Sequence, residues 1–350
     1  MKADKAIIIL TPGFASSSSD STCLPMHQRF IITLKKLNPG YSIFILSIHY
    51  PFHSRSYQWN GVTVLPFNGR NRGGLHRFLY YPKIKRAFKN LHASFDIAGI
   101  ISFWYGECAL LGQTFSKKYS LPHYCWVLGQ DARVSNDYPR KLSIPAENLV
   151  ALSDSIRHEF EKNHGIRPGH MVPPGMNDNE FNCLSSERDI DILGAGSLIP
   201  LKQFSILVQV VAAIKKKFPS IKAIIAGTGP EKEFLEKMII QHGLVSNITL
   251  TGELPYEEVL KLMQRTKILI HPSSYEGFSG VCQEAIAAGA HVVSFCRAMD
   301  HPIPQWHIVE NQEEMIEKAN KILEQKIKTD NIIPYRMENS VHQFMELLRL

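Results

Sequence analysis

Short apolar runs alternate with amphipathic stretches along the first half of the chain. Runs typical of buried strands lie at residues 6–10, 41–48, 62–66, 97–103, 123–128 and 149–153. Stretches with helical periodicity lie between them at 25–37, 107–119 and 154–160. Strands that alternate with helices predict an α/β fold, in which helices cover both faces of a parallel sheet. Ligands of such folds bind beyond the carboxyl ends of the strands, so the loops that follow strands are the places to examine.

The second half of the chain repeats this alternation. Strands are predicted at 191–194, 222–226, 248–251 and 267–271, and helices at 204–218, 231–242, 256–264, 281–288, 312–325 and 341–350. Residues 182–189 between the halves are polar and have no periodicity, which is typical of a linker. The pattern therefore predicts two α/β domains, at 1–183 and 186–330.

One stretch of the second half, residues 267–295, has the features of an anion site. The apolar run that ends at His271 is broken by Pro272, and an alanine-rich helix follows Gly280 and ends at Gly289. Free amides and the dipole at the start of such a helix favour phosphate. Glu276 in the loop and Glu284 on the helix can each accept two hydroxyl donors. The stretch predicts a site for a nucleotide sugar.

A simpler interpretation makes Glu276 a helix cap and Glu284 a surface residue. Glu284 lies in the apolar sequence CQEAIAAGAHVV, where an unpaired carboxylate would be costly. The stretch resembles the E-x7-E signature of the retaining GT-B glycosyltransferases of family four, the glycosyl transferases group 1. The matching residues are Glu276, Gly277, Phe278, Glu284, Ala285, Ala288 and Gly289.

This resemblance implies a fold and a set of roles. The GT-B fold has two Rossmann-like domains whose parallel sheets face each other across a cleft, and a last helix, here about 335–350, that packs back on the first domain. Glu276 would bind the sugar hydroxyls and Glu284 the ribose hydroxyls. The amides of Gly277, Phe278 and Ser279 would bind the phosphate and the sugar.

Other donor contacts follow from the same resemblance. In the family, an arginine and a lysine hold the donor diphosphate; here Lys202 is present, and Ser197 occupies the arginine position. Because a charge-assisted hydrogen bond contributes about 1.5–3 kcal/mol, the loss weakens this clamp unless the Ser197 hydroxyl and loop amides substitute. The remaining predicted donor contacts are Gly13, Gly227, Gly229 and, beside the base, Leu254.

The first domain departs from the family at a second position. Where the family commonly has H-G-x-D after a strand, this chain has Leu128, Gly129, Gln130 and Asp131. Asp131 keeps its position and is predicted to orient a hydroxyl, so the predicted catalytic residues are Glu276, Asp131 and Lys202. A turn or cap role for Asp131 stays open. Trp104 and Tyr105 could stack on a sugar or belong to the core.

Several other classes of site fit the sequence poorly. The six cysteines show no C-x-x-C spacing, which argues against a zinc site and a disulfide framework. Asp189 and Asp191 precede a strand instead of ending one, and His49 and His53 flank Pro51 with no third ligand near them. No G-x-G-x-x-G follows the first strand, unlike in dinucleotide dehydrogenases. We expect no metal and no cofactor other than the nucleotide diphosphate-sugar as co-substrate.

The distribution of basic residues along the chain predicts a further partner. The net charge is +7, but residues 1–185 carry 21 Lys and Arg against 12 Asp and Glu. Much of this excess lies in segment 70–89, where basic and apolar residues are interleaved. Such a segment predicts peripheral contact with an anionic membrane or, equally, a solvated surface helix; nucleic acid, which competes for basic patches, is not the predicted partner. The lack of a long apolar run and of a signal peptide predicts a cytoplasmic protein, which membrane contact through segment 70–89 would place at the inner membrane face.

These features together predict a retaining, metal-independent glycosyltransferase. It would move a sugar from a nucleotide diphosphate-sugar to a hydroxyl of a glycan or lipid-linked acceptor, in cell-surface polysaccharide or glycolipid synthesis. Ser197 and Leu128 suggest an alternative, a catalytically degenerate nucleotide-sugar binding protein. A sugar-nucleotide isomerase or a phosphorylase of GT-B architecture is the other alternative, although no pyridoxal-phosphate lysine is identifiable.

Overall fold

The computed structural model describes residues 4–20, 23–177, 181, 188–325 and 330–349. The chain forms two compact units, one comprising residues 1–177 and 335–350 and the other residues 178–334. We call them unit 1 and unit 2. The predicted domain boundary between 183 and 186 lies outside the described residues.

Unit 1 contains one sheet with helices around it. The strand order is β3-β4-β2-β1-β5-β6-β7-β8, and all neighbours are parallel except β3 and β4. Its strands are β1 (Lys5–Gly13), β2 (Ser42–Tyr50), β3 (Tyr57–Trp59), β4 (Val62–Pro66), β5 (Asp96–Phe103), β6 (His123–Val127), β7 (Leu149–Ala151) and β8 (His170–Met171). Its helices are α1 (Pro25–Leu37), α2 (Arg77–Ser94), α3 (Glu107–Tyr119), α4 (Tyr138–Lys141), α5 (Asp154–His164) and α11 (Met337–Leu347).

The core of unit 1 follows from its apolar runs. Ile7, Ile8 and Ile9 of β1 are all fully buried, since a central parallel strand is covered on both faces. The hairpin that β3 and β4 form was not predicted. Asn60 and Gly61 between them both have positive φ, 45° and 77°, which is the backbone of a tight two-residue hairpin turn.

Unit 2 contains a second, fully parallel sheet in the order β11-β10-β9-β12-β13-β14. Its strands are β9 (Ile190–Ala195), β10 (Ala223–Ala226), β11 (Ile248–Gly252), β12 (Thr266–His271), β13 (His291–Ser294) and β14 (Trp306–Ile308). Its helices are α6 (Phe204–Lys215), α7 (Lys232–Gln241), α8 (Tyr256–Gln264), α9 (Gly280–Ala287) and α10 (Gln312–Gln325). β13 and β14 were not predicted, because they are only four and three residues long.

The last helix belongs to unit 1. Helix α11 begins at Met337, four residues before the predicted start, and ends at Leu347. The Phe344 ring lies 5.3 Å from that of Phe30 on α1 and 5.1 Å from that of Trp126 on β6. The chain therefore returns to its first unit through an aromatic cluster.

Both sheets have a switch point, a central strand on either side of which the connections run towards opposite edges of the sheet. In unit 1 the first strand, β1, lies between β2 and β5, and in unit 2 the first strand, β9, lies between β10 and β12. The loops after these strands leave a crevice at the carboxyl edge, which is where ligands of open α/β sheets bind.

Candidate functional site

At the switch point of unit 2, a lysine and a carboxylate from two neighbouring strand ends form an ion pair. Lys202 ends a short turn after β9, and Glu276 lies in the loop after β12. The Lys202 Nζ lies 2.5 Å from the Glu276 Oε1, and the two side chains are 21% and 17% exposed. Two residues that the sequence predicts as site residues, 74 positions apart, are thus in direct contact.

His271, the last residue of β12, is a third member of this cluster. Its Nε2 lies 2.9 Å from the Glu276 Oε1 and 3.2 Å from the Ser279 hydroxyl. Burial lowers the pKa of His271, and the Glu276 carboxylate offsets only part of that shift. The imidazole is therefore neutral near pH 7, and its Nε2–H donates a hydrogen bond to Glu276.

Glu276 itself is firmly ionised. Burial alone would favour its protonated form, but the hydrogen bond from His271 and the charge of Lys202 lower its pKa to about 2. A carboxylate with such a pKa accepts hydrogen bonds throughout the neutral range and does not supply a proton.

Glu284 is buried on α9, at 8% exposure, and is not at the surface as the simpler interpretation required. Its Oε1 accepts a hydrogen bond of 3.1 Å from the hydroxyl of Tyr256, the first residue of α8. A buried carboxylate needs such donors to offset its lost hydration. Neither Tyr256 nor His271 was predicted as a site residue, although each lies directly at the end or the start of a predicted element.

The glycines after β10 allow close approach of the backbone to the loop after β9. Gly227 has a φ of +146°, and a Cβ there would lie 1.9 Å from the Gly196 carbonyl oxygen. A Cβ on Gly229 would lie 2.4 Å from the Leu198 carbonyl oxygen. A side chain at either position would separate the loops that form this edge.

The remaining predicted donor residues divide between the units. Ser197 is exposed in the loop after β9, and Leu254 is half-buried between β11 and α8. Gly277, Phe278 and Ser279 are buried in the segment that leads into α9. Gly13 and Asp131 instead belong to unit 1. The structure therefore gathers the predicted residues of unit 2 along one sheet edge and places these two in the other unit.

Unit 1 has a cavity of about 750 Å³ at its own switch point. It is lined from the ends of four neighbouring strands, by Gly13 at the end of β1, Tyr50 at the end of β2, Trp104 after β5 and Asp131 after β6, among others. The Trp104 ring stacks on His27 at 4.7 Å. Tyr105 is fully buried, and its hydroxyl donates to the Leu142 carbonyl oxygen at 2.8 Å.

The wall of this cavity contains a charged network that the sequence did not predict. The Glu107 carboxylate at the start of α3 accepts hydrogen bonds from Arg77 and from Tyr80, the latter at 3.1 Å, and His49 Nε2 lies 3.1 Å from it. Arg77 also donates to the Tyr138 hydroxyl at 2.6 Å. Burial would raise the pKa of Glu107, but His49 and Arg77 outweigh burial and lower it. No local sequence motif indicates this network, because its residues come from segments that are distant in the sequence.

Asp131 has a structural contact as well as a place in the cavity wall. Its Oδ2 accepts a 2.8 Å hydrogen bond from the amide of Leu128, which is a turn role. Burial raises the pKa of Asp131 to about 7, although hydrogen bonds from the backbone of Leu128 and Tyr105 oppose the shift. The Leu128 side chain, at the position of the family histidine, is 5% exposed.

No group of three or more His, Cys, Asp or Glu side chains in the described part of the chain is arranged to hold a metal ion. Within the same ranges, no helix has both the length and the apolar character needed to cross a membrane.

Comparison with known proteins identifies the region that contains the Lys202 and Glu276 pair. A family model described as glycosyl transferases group 1 matches residues 176–338. This region belongs to the glycosyl transferases group 1. The group 1 region includes all six strands of unit 2, and the family predicted from the E-x7-E stretch is confirmed.

The curated relatives also carry glycosyltransferase names. The gpi3 subunit of phosphatidylinositol N-acetylglucosaminyltransferase from Schizosaccharomyces pombe is 32% identical over 203 residues, which are 56% of this chain and 44% of that protein. An uncharacterized glycosyltransferase of Methanocaldococcus jannaschii is 25% identical over 213 residues, 59% of this chain and 58% of that one. The chain thus spans about half the length of these relatives.

Solved structures resemble the chain over nearly its full length. HepE of Anabaena, in complex with UDP and glucose, has a TM-score of 0.69 at 16% identity and covers 98% of this chain and 99% of its own. Sucrose-phosphate synthase from Thermosynechococcus elongatus has a TM-score of 0.72 at 14% identity, with coverage of 99% and 98%. At this identity the likeness concerns the fold, and the predicted GT-B fold is confirmed.

Proposed function

We propose that this chain is a retaining, metal-independent glycosyltransferase that moves a sugar from a nucleotide diphosphate-sugar to a hydroxyl acceptor. The observation that carries the proposal is the Lys202 and Glu276 pair at the switch point of the group 1 region. The Lys202 ammonium is a cation that would bind a diphosphate. The Glu276 carboxylate in contact with it is ionised and would bind sugar hydroxyls. Donor complexes of HepE with UDP-glucose support this donor class.

The donor would occupy the carboxyl edge of unit 2. The Lys202 ammonium has three donors, of which one reaches Glu276, so others remain for the diphosphate oxygens. The first amides of α9, which have no acceptor within the helix, would add to the charge stabilisation of the diphosphate. Glu284 would accept the ribose hydroxyls beside Tyr256, and Leu254 would border the base.

The proposed reaction needs no protein nucleophile. The acceptor oxygen bonds to the anomeric carbon on the face from which the nucleoside diphosphate departs. The bond from that carbon to the phosphate oxygen breaks with its electron pair on the diphosphate, and a phosphate oxygen takes the acceptor proton. Lys202 would stabilise the negative charge that develops on the leaving group, the task that a divalent cation performs in metal-dependent enzymes.

The cavity of unit 1 is the proposed acceptor site. Its volume of about 750 Å³ is that of a small-molecule pocket. Trp104 offers an aromatic surface to a sugar ring, and Asp131 a carboxyl group to a hydroxyl. The relationship to a phosphatidylinositol N-acetylglucosaminyltransferase supports a glycolipid or lipid-linked acceptor, which a cytoplasmic enzyme would meet at the inner membrane face.

A second candidate function is nucleotide-sugar binding without turnover. Ser197 brings no charge to the place of the family arginine, and Leu128 is buried at the place of the family histidine. Both departures leave the Lys202 and Glu276 pair in place. A binding protein of this kind would therefore hold the donor without transferring its sugar.

Incubation with labelled UDP-, GDP- and ADP-sugars separates the two candidates. A transferase releases free sugar slowly by hydrolysis and transfers it to a suitable acceptor, and both activities should fall in Lys202→Ala and Glu276→Ala. The control is Lys217→Ala, which breaks an exposed ion pair of unit 2 with Glu324. Binding of one donor without release or transfer would support the binding protein, and full activity in both site variants would refute the site.

A further inference from the structure

Three apolar side chains project from unit 1 where helix α2 begins. Leu75 is 83% exposed, Phe78 76% and Leu79 68%, and the first two are the most exposed large apolar side chains of the described residues. Their spacing of three and four residues places them on one side of the segment. Neighbouring apolar side chains with this exposure form a patch of the kind that marks a contact surface.

The patch is not part of the core face of α2. That face is formed by Tyr80, Ile84 and Phe88, which are 3%, 0% and 0% exposed. The Phe88 ring stacks on Phe115 of α3 with centroids 3.9 Å apart. The helix thus already buries one complete apolar stripe within unit 1, and the patch of Leu75, Phe78 and Leu79 is a second apolar surface.

Basic side chains continue the same exposed side. Steps of four and three residues lead from Leu75 through Leu79 and Pro82 to Arg86 and Lys89, so these positions form one stripe along the segment. Segment 70–89 contains seven Lys and Arg and no Asp or Glu. The exposed members that follow the patch are Lys83, Lys85, Arg86 and Lys89, whereas the exposed Arg70 and Arg72 precede it and lie outside the stripe. The side therefore has an apolar end and a strongly positive end.

The apolar end adjoins the cavity of unit 1. Asn71 and Gly73, which precede Leu75, line the cavity. Arg77, which lies between Leu75 and Phe78 in the sequence, is bound to Glu107 in the cavity wall and to Tyr138. These contacts hold the start of α2 in a fixed place beside the cavity mouth.

We propose that the exposed side of segment 70–89 docks on an anionic lipid surface. The patch would enter the acyl boundary, and the basic side chains would contact anionic head groups, as in amphipathic segments that lie in a membrane interface. Nucleic acid would use the positive end but has no place for the aliphatic side chains of Leu75 and Leu79. Docking this way sets the mouth of the cavity at the lipid surface; that second step rests on the proposed lipid-linked acceptor.

Vesicle binding without any donor tests the docking surface. The full chain should bind vesicles of phosphatidylglycerol and phosphatidylcholine and should bind pure phosphatidylcholine weakly. Combined replacement of Leu75, Phe78 and Leu79 by Ser should weaken binding more than roughly a hundredfold, since each loses an apolar side chain. Lys83→Gln, Arg86→Gln and Lys89→Gln should each weaken it roughly fivefold at low salt.

Unit 2 supplies matched controls. Phe234, Ile240 and Val245 are 51%, 66% and 68% exposed, and their combined change to Ser should leave vesicle binding unchanged. Exposed lysines of unit 2 for the charge control are Lys216, Lys237 and Lys321. Circular dichroism checks that each variant is folded.

Three results would overturn the docking surface. They are equal vesicle binding by the patch variant and the wild type, no preference for anionic vesicles, and binding of single-stranded DNA or RNA in place of vesicles. The vesicle measurement contains no donor. Its result therefore does not depend on whether the proposed transferase activity is found. Conversely, loss of vesicle binding in the patch variant with unchanged donor hydrolysis separates docking from the donor site.

Discussion

The two switch points use charge in different ways. In unit 2, the Glu276 carboxylate meets Lys202 and His271, each from the end of a strand or the loop behind it. In unit 1, the Glu107 carboxylate is held by Arg77, Tyr80 and His49, from two different elements.

The difference separates a binding charge from a structural one. Glu276 accepts a hydrogen bond from Lys202, whose other N–H groups can donate to a diphosphate. The sheet edge around this pair is formed by glycine-containing loops. Glu107 fixes the start of α2 against α3, so its charge is used within the protein. What unit 1 offers to a ligand is its cavity, with Trp104 and Asp131 in the wall. The proposed function accordingly gives the anionic donor to unit 2 and the acceptor to unit 1.

The largest expected effect concerns the returning segment of unit 1. Phe344→Ala removes a fully buried ring from the cluster with Phe30 and Trp126 and should lower the free energy of unfolding by about 3–5 kcal/mol. Urea denaturation measures the loss, and hydrogen exchange should place it in unit 1 while β9 and β12 keep their protection. Phe234→Ala, an exposed ring in unit 2, is the control, with a change within about 0.5 kcal/mol. Equal losses of hydrogen-exchange protection in both units would show that the Phe344 cluster does not stabilise unit 1 in particular.

Neutralising the binding charge should affect activity more than stability. Glu276→Gln keeps the size of the side chain but removes its charge, and the loss of about 1.5–3 kcal/mol corresponds to a fall in kcat/KM of roughly tenfold to a hundredfold or more. Initial rates with the preferred donor measure it. Glu324→Gln, from an exposed ion pair, should retain full activity. A Glu276→Gln enzyme as active as the wild type would make this carboxylate structural, like Glu107.

Asp131 should make unit 1 sensitive to pH. Its folded pKa of about 7 lies above the unfolded value of about 3.9, so the folded state holds the proton more tightly. This contribution to stability is fully present below about pH 4 and is lost as the pH rises through about 7. Asp131→Asn does not titrate, so its stability relative to the wild type should rise by about 1–3 kcal/mol between pH 4.5 and pH 8.

Urea denaturation of both proteins at the two pH values measures this gap. Asp137→Asn, an exposed carboxylate of the same unit, serves as the control. A gap that stays constant with pH would mean that Asp131 is ionised without cost, and it would remove the contrast with Glu276.

The smallest expected effect is at Glu284. Tyr256→Phe removes one hydroxyl donor from this buried carboxylate and should destabilise the protein by about 1 kcal/mol. It should also raise the KM for the donor, since Tyr256 and Glu284 lie on facing parts of α8 and α9 at the proposed ribose site. Thermal unfolding and donor titration measure the two effects. Tyr275→Phe, half-buried in the loop beside Glu276, tests whether any lost hydroxyl near the site has the same result.

The sequence predicted most of the fold and, of the candidate site, the residues that lie in local motifs. Apolar runs placed the central strands because burial on both faces demands continuous apolar residues, as in β1. The short strands β3, β8, β13 and β14 were missed, since two to four residues cannot establish a period. Glu276 and Glu284 were singled out because one local motif of nine positions contains them both. Glu107 was not, because its partners come from α2 and β2 and meet it only in the folded unit.

The central claim is that the Lys202 and Glu276 pair binds a nucleotide diphosphate-sugar. Thermal shifts of the wild type and of Lys202→Ala, each with UDP-, GDP- and ADP-sugars, test it most directly, with Lys217→Ala as the control. We predict that one donor class at 100 times its Kd stabilises the wild type and the control by about 2.7 kcal/mol, and that Lys202→Ala loses most of this gain. No shift with any donor, or the same shift in Lys202→Ala, would contradict the claim.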